Sequence, residues 1–281
     1  MVTGLLLMTK GMLKKISKPI ENISKRKLSI QFSLDGFSFC ISNFEHTIFH
    51  FSSYAFGEET STPELLLNRI EEIFQTDKDL HDDFESVVVI HENHLNSFVP
   101  NAYFKEEALK SYLDYNVKTI RTDFIAYDSL DNLGIKNVYV PYVNINNFLF
   151  QNFGEFEYQH HSSVLVNKLI QKTHTNNLKF YANVSKNTLD IVVIENKKLM
   201  FYNGFEYHTK EDFIYYILFT FEQLKLDPAE IVLHLLGDIT EDSELYKIAY
   251  TYIQTLEFTS TSSIILDSEE LENHSNFILL A

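Results

Sequence analysis

Two stretches of the chain share one rhythm of apolar and polar positions. In "LSIQFSLDGFSFCISNFEHTIFHF", residues 28–51, Leu28, Ile30 and Phe32 alternate with polar residues, the period of a strand with one buried face. "DGFS" (35–38) predicts a turn in which Asp-Gly supplies a positive φ. "FCIS" continues as a second strand, "NFEHT" (43–47) turns again, and "IFHFSSYAF" is a third strand. "LKFYANVSKNTLDIVVIENKKLMFYNGF", residues 178–205, repeats the order, with turns at "SKNT" (185–188) and "ENKK" (195–198). Leu28 and Leu178 open the two units, an offset of 150 residues.

The parallel continues downstream. "PELLLNRIEEIF" (63–74) carries a helical stripe, with Thr62 or Ser61 as cap and Pro63 in the first turn. "EDFIYYILFTFEQL" (211–224) does the same, and Thr209 with Asp212 resembles a capping box. Each helix precedes a short apolar strand, "SVVVIHE" (86–92) or "IVLHLLG" (231–237). Each strand precedes another helix, "FKEEALKSYLDY" (104–115) or "EDSELYKIAYTYIQTL" (241–256). Each half therefore reads β-β-β-α-β-α. A meander followed by a crossover helix gives a mixed sheet, its fourth strand parallel to the first and helices covering it. "NVYVPYVNINNFLFQNF" (137–153) and "HSSVLVNKLIQKT" (161–173) add a strand and two helices, with residues 153–161 as the connection. The organisation expected is a basic, poorly ordered tail over 1–26, a first half over 27–155 and a second over 156–281.

Composition narrows the function. With 281 residues and 45% hydrophobic content the chain supports a large core. The net charge of -16 argues against a nucleic-acid partner, because phosphate is repelled. Seven of the 23 basic residues (Lys10, Lys14, Lys15, Lys18, Lys25, Arg26, Lys27) lie in the first 27 positions beside one acid, Glu21. That tail reads as a solvated terminus, with contact to an anionic membrane or a protein as the alternative. The single cysteine, Cys40, allows no internal disulfide and fits a reducing, cytoplasmic compartment. Apolar runs such as "SVVVI" and "IVLHLL" fall far short of the roughly 20 residues of a membrane span. "MVTGLLLMTKGMLKK" lacks a signal-peptide cleavage site, and Met8 or Met12 is an alternative start.

A duplicated β-β-β-α-β-α unit is the layout of the actin-like, ribonuclease-H-like fold. "FIYYILFTFEQLKLDPAEIVLHLLGDI" (213–239) is similar to the stretch before the adenosine loop in the actin-like proteins of type IV pilus and type II secretion assembly. Over about residues 27–281 the chain also resembles a bacterial family designated domain of unknown function 3822. In active members of the superfamily, two glycine-bearing hairpin turns and one strand-to-helix loop hold ATP, and strand-end carboxylates order magnesium and water. The resemblance places Asp35 and Gly36 in the first phosphate turn, adjacent where the family has a residue between them. In the second turn Asn183, Ser185, Lys186 and Asn187 stand where a strand-end Asp and glycines are expected, although Thr188 and Asp190 match the closing Thr and Asp. Gly237 and Asp238 represent the third loop. Of eight glycines (4, 11, 36, 57, 134, 154, 204, 237), none falls in the second turn.

Other constellations carry less chemistry. "HENH" (91–94) has the wrong spacing for a zinc helix and reads as a polar loop. "QHHSS" (159–163) reads as a helix start capped by Ser162 or Ser163. Cys40 reads as a buried hydrophobe, and Asp82–Asp83 and Glu269–Glu270 as solvated pairs. "FIYY" and "YKIAYTY" read as helical core with a few exposed aromatics for a partner. The resulting expectation is a non-catalytic, cytoplasmic actin-like scaffold: a pseudoenzyme with degenerate nucleotide loops at Asp35, Gly36, Asn183, Ser185, Lys186, Thr188, Asp190, Gly237 and Asp238, no catalytic residue, no metal, no resident cofactor and a protein partner. The cleft between the halves is the default ligand site. The alternative is a divergent ATPase or small-molecule kinase binding ATP and magnesium there, with Asp35 on the metal side, Asp190 ordering water and Lys186 on phosphate.

Overall fold

In a computed structural model, the described residues are 13–17, 25–45, 47–57, 60–115, 117–174, 176–260, 264–265 and 274–280. The first part of the chain forms β1 (Leu13–Ser17), β2 (Lys27–Ser33), β3 (Gly36–Ser42), β4 (Thr47–Ala55), α1 (Pro63–Thr76) and β5 (Ser86–His91). Next come β6 (Asn96–Pro100), α2 (Leu109–Leu113), β7 (Ala126–Leu130), β8 (Ile135–Tyr139), α3 (Val143–Phe153) and β9 (Glu157–His160). The remainder is α4 (His161–Lys172), β10 (Lys179–Val184), β11 (Thr188–Glu195), β12 (Lys198–Glu206), α5 (Lys210–Gln223), β13 (Leu233–Gly237), α6 (Glu244–Tyr252), β14 (Leu256–Phe258), β15 (Ile264–Ile265) and α7 (Phe277–Leu280).

The chain divides into two compact units that interleave in sequence: 1–90 with 142–157 and 264–266, and 91–141 with 158–263 and 267–281. The repeat halves are thus a division of sequence, while residues 91–141 pack with the second unit.

In the first unit the strands follow the order β1-β4-β3-β2-β5, with β15 beside β4. Leu28, Ile30 and Phe32 are buried, as their alternation requires. Leu66, Ile70, Ile73 and Phe74 form the buried stripe of α1, which Thr62 caps by accepting from the Leu65 N–H. Phe74 meets Phe148 and Phe153 of α3 at ring-centroid distances of 5.0 and 5.7 Å. The first hairpin corrects one expectation. Gly36 does not adopt a positive φ; it is the first residue of β3. A Cβ there would lie 2.8 Å from the Tyr54 carbonyl oxygen, so close approach of β4 selects glycine. Residues 13–17 form β1, antiparallel to β4, while residues 1–12 and 18–24, including Lys10, Lys18 and Glu21, lie outside the described residues.

In the second unit the order is β12-β11-β10-β13-β14, and β13 runs parallel to β10 as the crossover predicts. Between β11 and β12, Asn196 and Lys197 take φ of 52° and 59°, a two-residue hairpin turn. Apolar residues on one face of β10 and β11 (Phe180, Ala182, Leu189, Ile191, Val193) pack on Phe213, Ile217 and Phe221 of α5. The Thr209–Asp212 capping box is present. Of a second, three-stranded sheet, β6-β8-β7, the sequence reading had only the strand opening at 137, now β8, and the helix expected over 104–115 is only α2 preceded by a 3₁₀ turn. Its strands are short and carry Asn96, Asp128 and Asn137 at positions where alternation calls for apolar residues.

Candidate functional site

Asp190 stands on β11, directly across from Asn183 of β10 and Gly204 of β12. It is buried, and both oxygens are engaged. Oδ1 accepts from the Tyr202 hydroxyl at 2.8 Å and pairs with His161 Nε2 at 3.2 Å, and Oδ2 accepts from Asn183 Nδ2 at 3.1 Å. Burial opposes ionisation of Asp190, but the His161 charge and these hydrogen bonds outweigh it and hold the carboxyl below its ordinary range. Burial likewise opposes the His161 imidazolium, and the Asp190 carboxylate, helped by Glu92, raises its pKa in spite of it. The two form a buried ion pair. Gly204 makes room for it: a Cβ there would lie 3.3 Å from Asp190 Oδ1.

The start of α4 holds this pair from the other side. His160 caps the helix, its side chain accepting from the Ser162 N–H, so the cap is His160 rather than Ser162 or Ser163. The serine hydroxyls instead accept from Asn137 Nδ2 at 2.9 and 2.8 Å, and Ser162 also from Asn96 Nδ2 at 3.0 Å. His160 Nε2 lies 3.3 Å from Asn93 Oδ1, and the His160 backbone N–H donates to Asp128 Oδ2 at 2.8 Å. Tyr139 donates to the other Asp128 oxygen at 3.0 Å. Burial first, then the neighbouring charge of His161, holds His160 well below its ordinary pKa, so the adjacent histidines are shifted in opposite directions. "HENH" is not a free loop: His91 ends β5 fully buried, Asn93 is buried, and Glu92 accepts from the Ser185 hydroxyl at 3.1 Å.

The turns expected to cradle phosphate are bonded to the chain itself. The Ser185 N–H donates to the Thr188 carbonyl at 2.8 Å, closing the β10–β11 hairpin, and Lys186 and Asn187 are exposed at its tip. The Gly237 N–H donates to the His274 carbonyl at 2.9 Å, and the Asp238 N–H to the Val184 carbonyl at 2.7 Å. Gly237 has a φ of +82°, and a Cβ there would approach the Val184 oxygen to 2.1 Å, so only glycine fits. Asn183, Ser185, Thr188, Asp190, Gly237 and Asp238 therefore gather at one end of β10, β11 and β13, with Lys186 at the same hairpin. Asp35 and Gly36 lie at the β2–β3 hairpin of the other unit, where the Asp35 N–H donates to Ser33 Oγ at 3.1 Å. Sequence reasoning missed Tyr202, Asn93, Asn96, Asn137 and Asp128. For Asn96, Asn137 and Asp128 the signal was a polar residue within a strand, which becomes informative only once the strands are paired; Asn93 lies in the loop between β5 and β6.

The order β12-β11-β10-β13 with its parallel crossover, matched in strand order by β4-β3-β2-β5 of the first unit, is the layout of the actin-like ATPase fold. A protein of that fold and of unknown function from Bacteroides thetaiotaomicron is 24% identical, with a TM-score of 0.74, covering 84% of this chain and 91% of its own. The type IV pilus biogenesis complex of PilM with PilN gives 12% identity and a TM-score of 0.59 over 90% and 96%. The cytoplasmic domain of EpsL, an inner-membrane component of the Vibrio cholerae type II secretion system, gives 12% and 0.45 over 87% and 90%. The chain belongs to the family described as Protein of unknown function (DUF3822), whose model matches residues 16–256. No curated protein sequence matches it.

Proposed function

We propose that this protein is a non-catalytic actin-like scaffold that works by binding another protein. The observation that carries the reading is the engagement of Asp190. An aspartate that orders magnesium or water must offer an oxygen to solvent, whereas both of its oxygens are bonded within a buried network. His161 Nε2, 3.2 Å from Asp190 Oδ1, takes one side of the carboxylate from inside the chain. The amides of Gly237 and Asp238 are likewise spent on carbonyl groups.

The fold-mate PilM is seen in complex with PilN, which supports a protein partner for this chain by analogy of fold. Exposed aromatics support it from the surface. On α5, Tyr215 and Phe219 stack at 5.8 Å with 58% and 40% of their surfaces exposed, and Tyr250 and Tyr252 of α6 are exposed too. Among the described residues no helix is long and apolar enough to cross a membrane, and a cytoplasmic location is part of the proposal. Phosphate release from magnesium ATP tests the reading. The expected outcome is no release above background, with Asp35→Ala and Asp190→Ala unchanged from the parent. Turnover that these substitutions abolish would establish the ATPase alternative.

A further inference from the structure

His50, Asp77 and Asp79 bring one imidazole nitrogen and two carboxylate oxygens within 4.8 Å of one another in the first unit. None of the three belongs to the nucleotide loops. His50 lies on β4, and Asp77 ends α1 while its side chain accepts from the Asp79 N–H that starts the next turn. His50 and Asp77 are buried at 1% and 5% exposure, and Asp79 opens to solvent. His50 Nε2 and Asp79 Oδ2 are 3.6 Å apart. The ligand–ligand edge of a tetrahedral zinc site with ordinary bond lengths is about 3.4 Å. One outer partner holds Asp77 in place: Tyr54 donates to Asp77 Oδ2 at 2.5 Å. Ser52 Oγ lies 2.9 Å from His50 Nε2, the nitrogen that also faces Asp79, so metal binding would displace that contact.

The cation now at this place is the Lys15 ammonium, reaching from β1 to Asp79 Oδ2 at 2.8 Å and Asp77 Oδ1 at 3.3 Å. One ammonium against two carboxylates leaves a negative charge uncompensated beside buried groups, which a divalent ion would neutralise. A mixed imidazole–carboxylate set suits zinc-type metals over calcium or magnesium, which take all-oxygen shells.

We propose that His50, Asp77 and Asp79 form a site for a zinc-type divalent metal, and that the Lys15 ammonium is its built-in competitor. Metal binding and the docking of β1 through Lys15 then exclude each other. The test titrates zinc chloride into the chelator-stripped full chain by calorimetry, with cobalt absorption as a check on tetrahedral ligation. One zinc per chain is expected, and Lys15→Met tightens it roughly fivefold, the worth of a surface ion pair. Asp79→Asn and His50→Gln weaken it at least about tenfold, the usual effect of losing a ligand or its support. Zinc also speeds tryptic cleavage after Lys15. No zinc binding by Lys15→Met at about 1 mM overturns the site. Equal affinity in the parent and Lys15→Met overturns the competition, and unchanged binding in Asp79→Asn places the metal elsewhere.

Discussion

His161 and Asp190 show how single residues decide what this fold can do. Removing one member of a buried ion pair leaves the other uncompensated, so His161→Leu destabilises by about 3–5 kcal/mol. The double substitution His161→Leu with Asp190→Asn recovers most of that loss, and urea unfolding of the three variants measures both numbers. The sign with pH follows from the shifts. His161 is raised above its ordinary 6.5, so its contribution is complete below 6.5 and is lost as pH rises through the raised value. Asp190 is lowered below its ordinary 3.8, so its contribution is complete above 3.8 and is lost as pH falls through the lowered value. The stability gap between parent and double variant is therefore widest between 3.8 and 6.5 and narrows above that window. Gly237 is the second decisive residue. Gly237→Ala drives a Cβ into the Val184 carbonyl and costs at least about 3 kcal/mol by thermal unfolding, because both the contact and the positive φ oppose it.

Elements were legible in proportion to the regularity of their pattern. α1 and α5 carry an apolar period matching the face they bury, β10, β11 and β13 read as runs buried at nearly every position, and the caps at Thr62 and Thr209 mark where two helices begin. The β6-β8-β7 sheet was not legible because its strands bury a polar network, so apolar alternation is missing where Asn137 and Asp128 point inward. The first hairpin was placed correctly for the wrong reason: Asp-Gly chemistry implied a positive φ, whereas packing against β4 selects Gly36. The β11–β12 hairpin is the converse. Asn196 and Lys197 hold left-handed conformations without a glycine. Lys197→Gly relieves the cost of a side chain at positive φ and raises stability by about 0.5 kcal/mol in urea unfolding, net of the entropy glycine loses.

At the scale of the whole molecule, the repeat at a 150-residue offset made the duplicated fold readable before any strand was paired. The site was only half readable. Sequence shows that the second turn lacks glycine, but not that His161 from a distant helix reaches Asp190, because that contact spans 29 residues and depends on where α4 docks. Nor does it show that the third-loop amides are taken by Val184 and His274. Together these contacts bond within the chain the groups that the proposed scaffold reading takes as former nucleotide contacts. Calorimetric titration of the folded protein with magnesium ATP tests that claim most directly. The account predicts no saturable heat up to millimolar nucleotide; saturable binding at micromolar strength would contradict it.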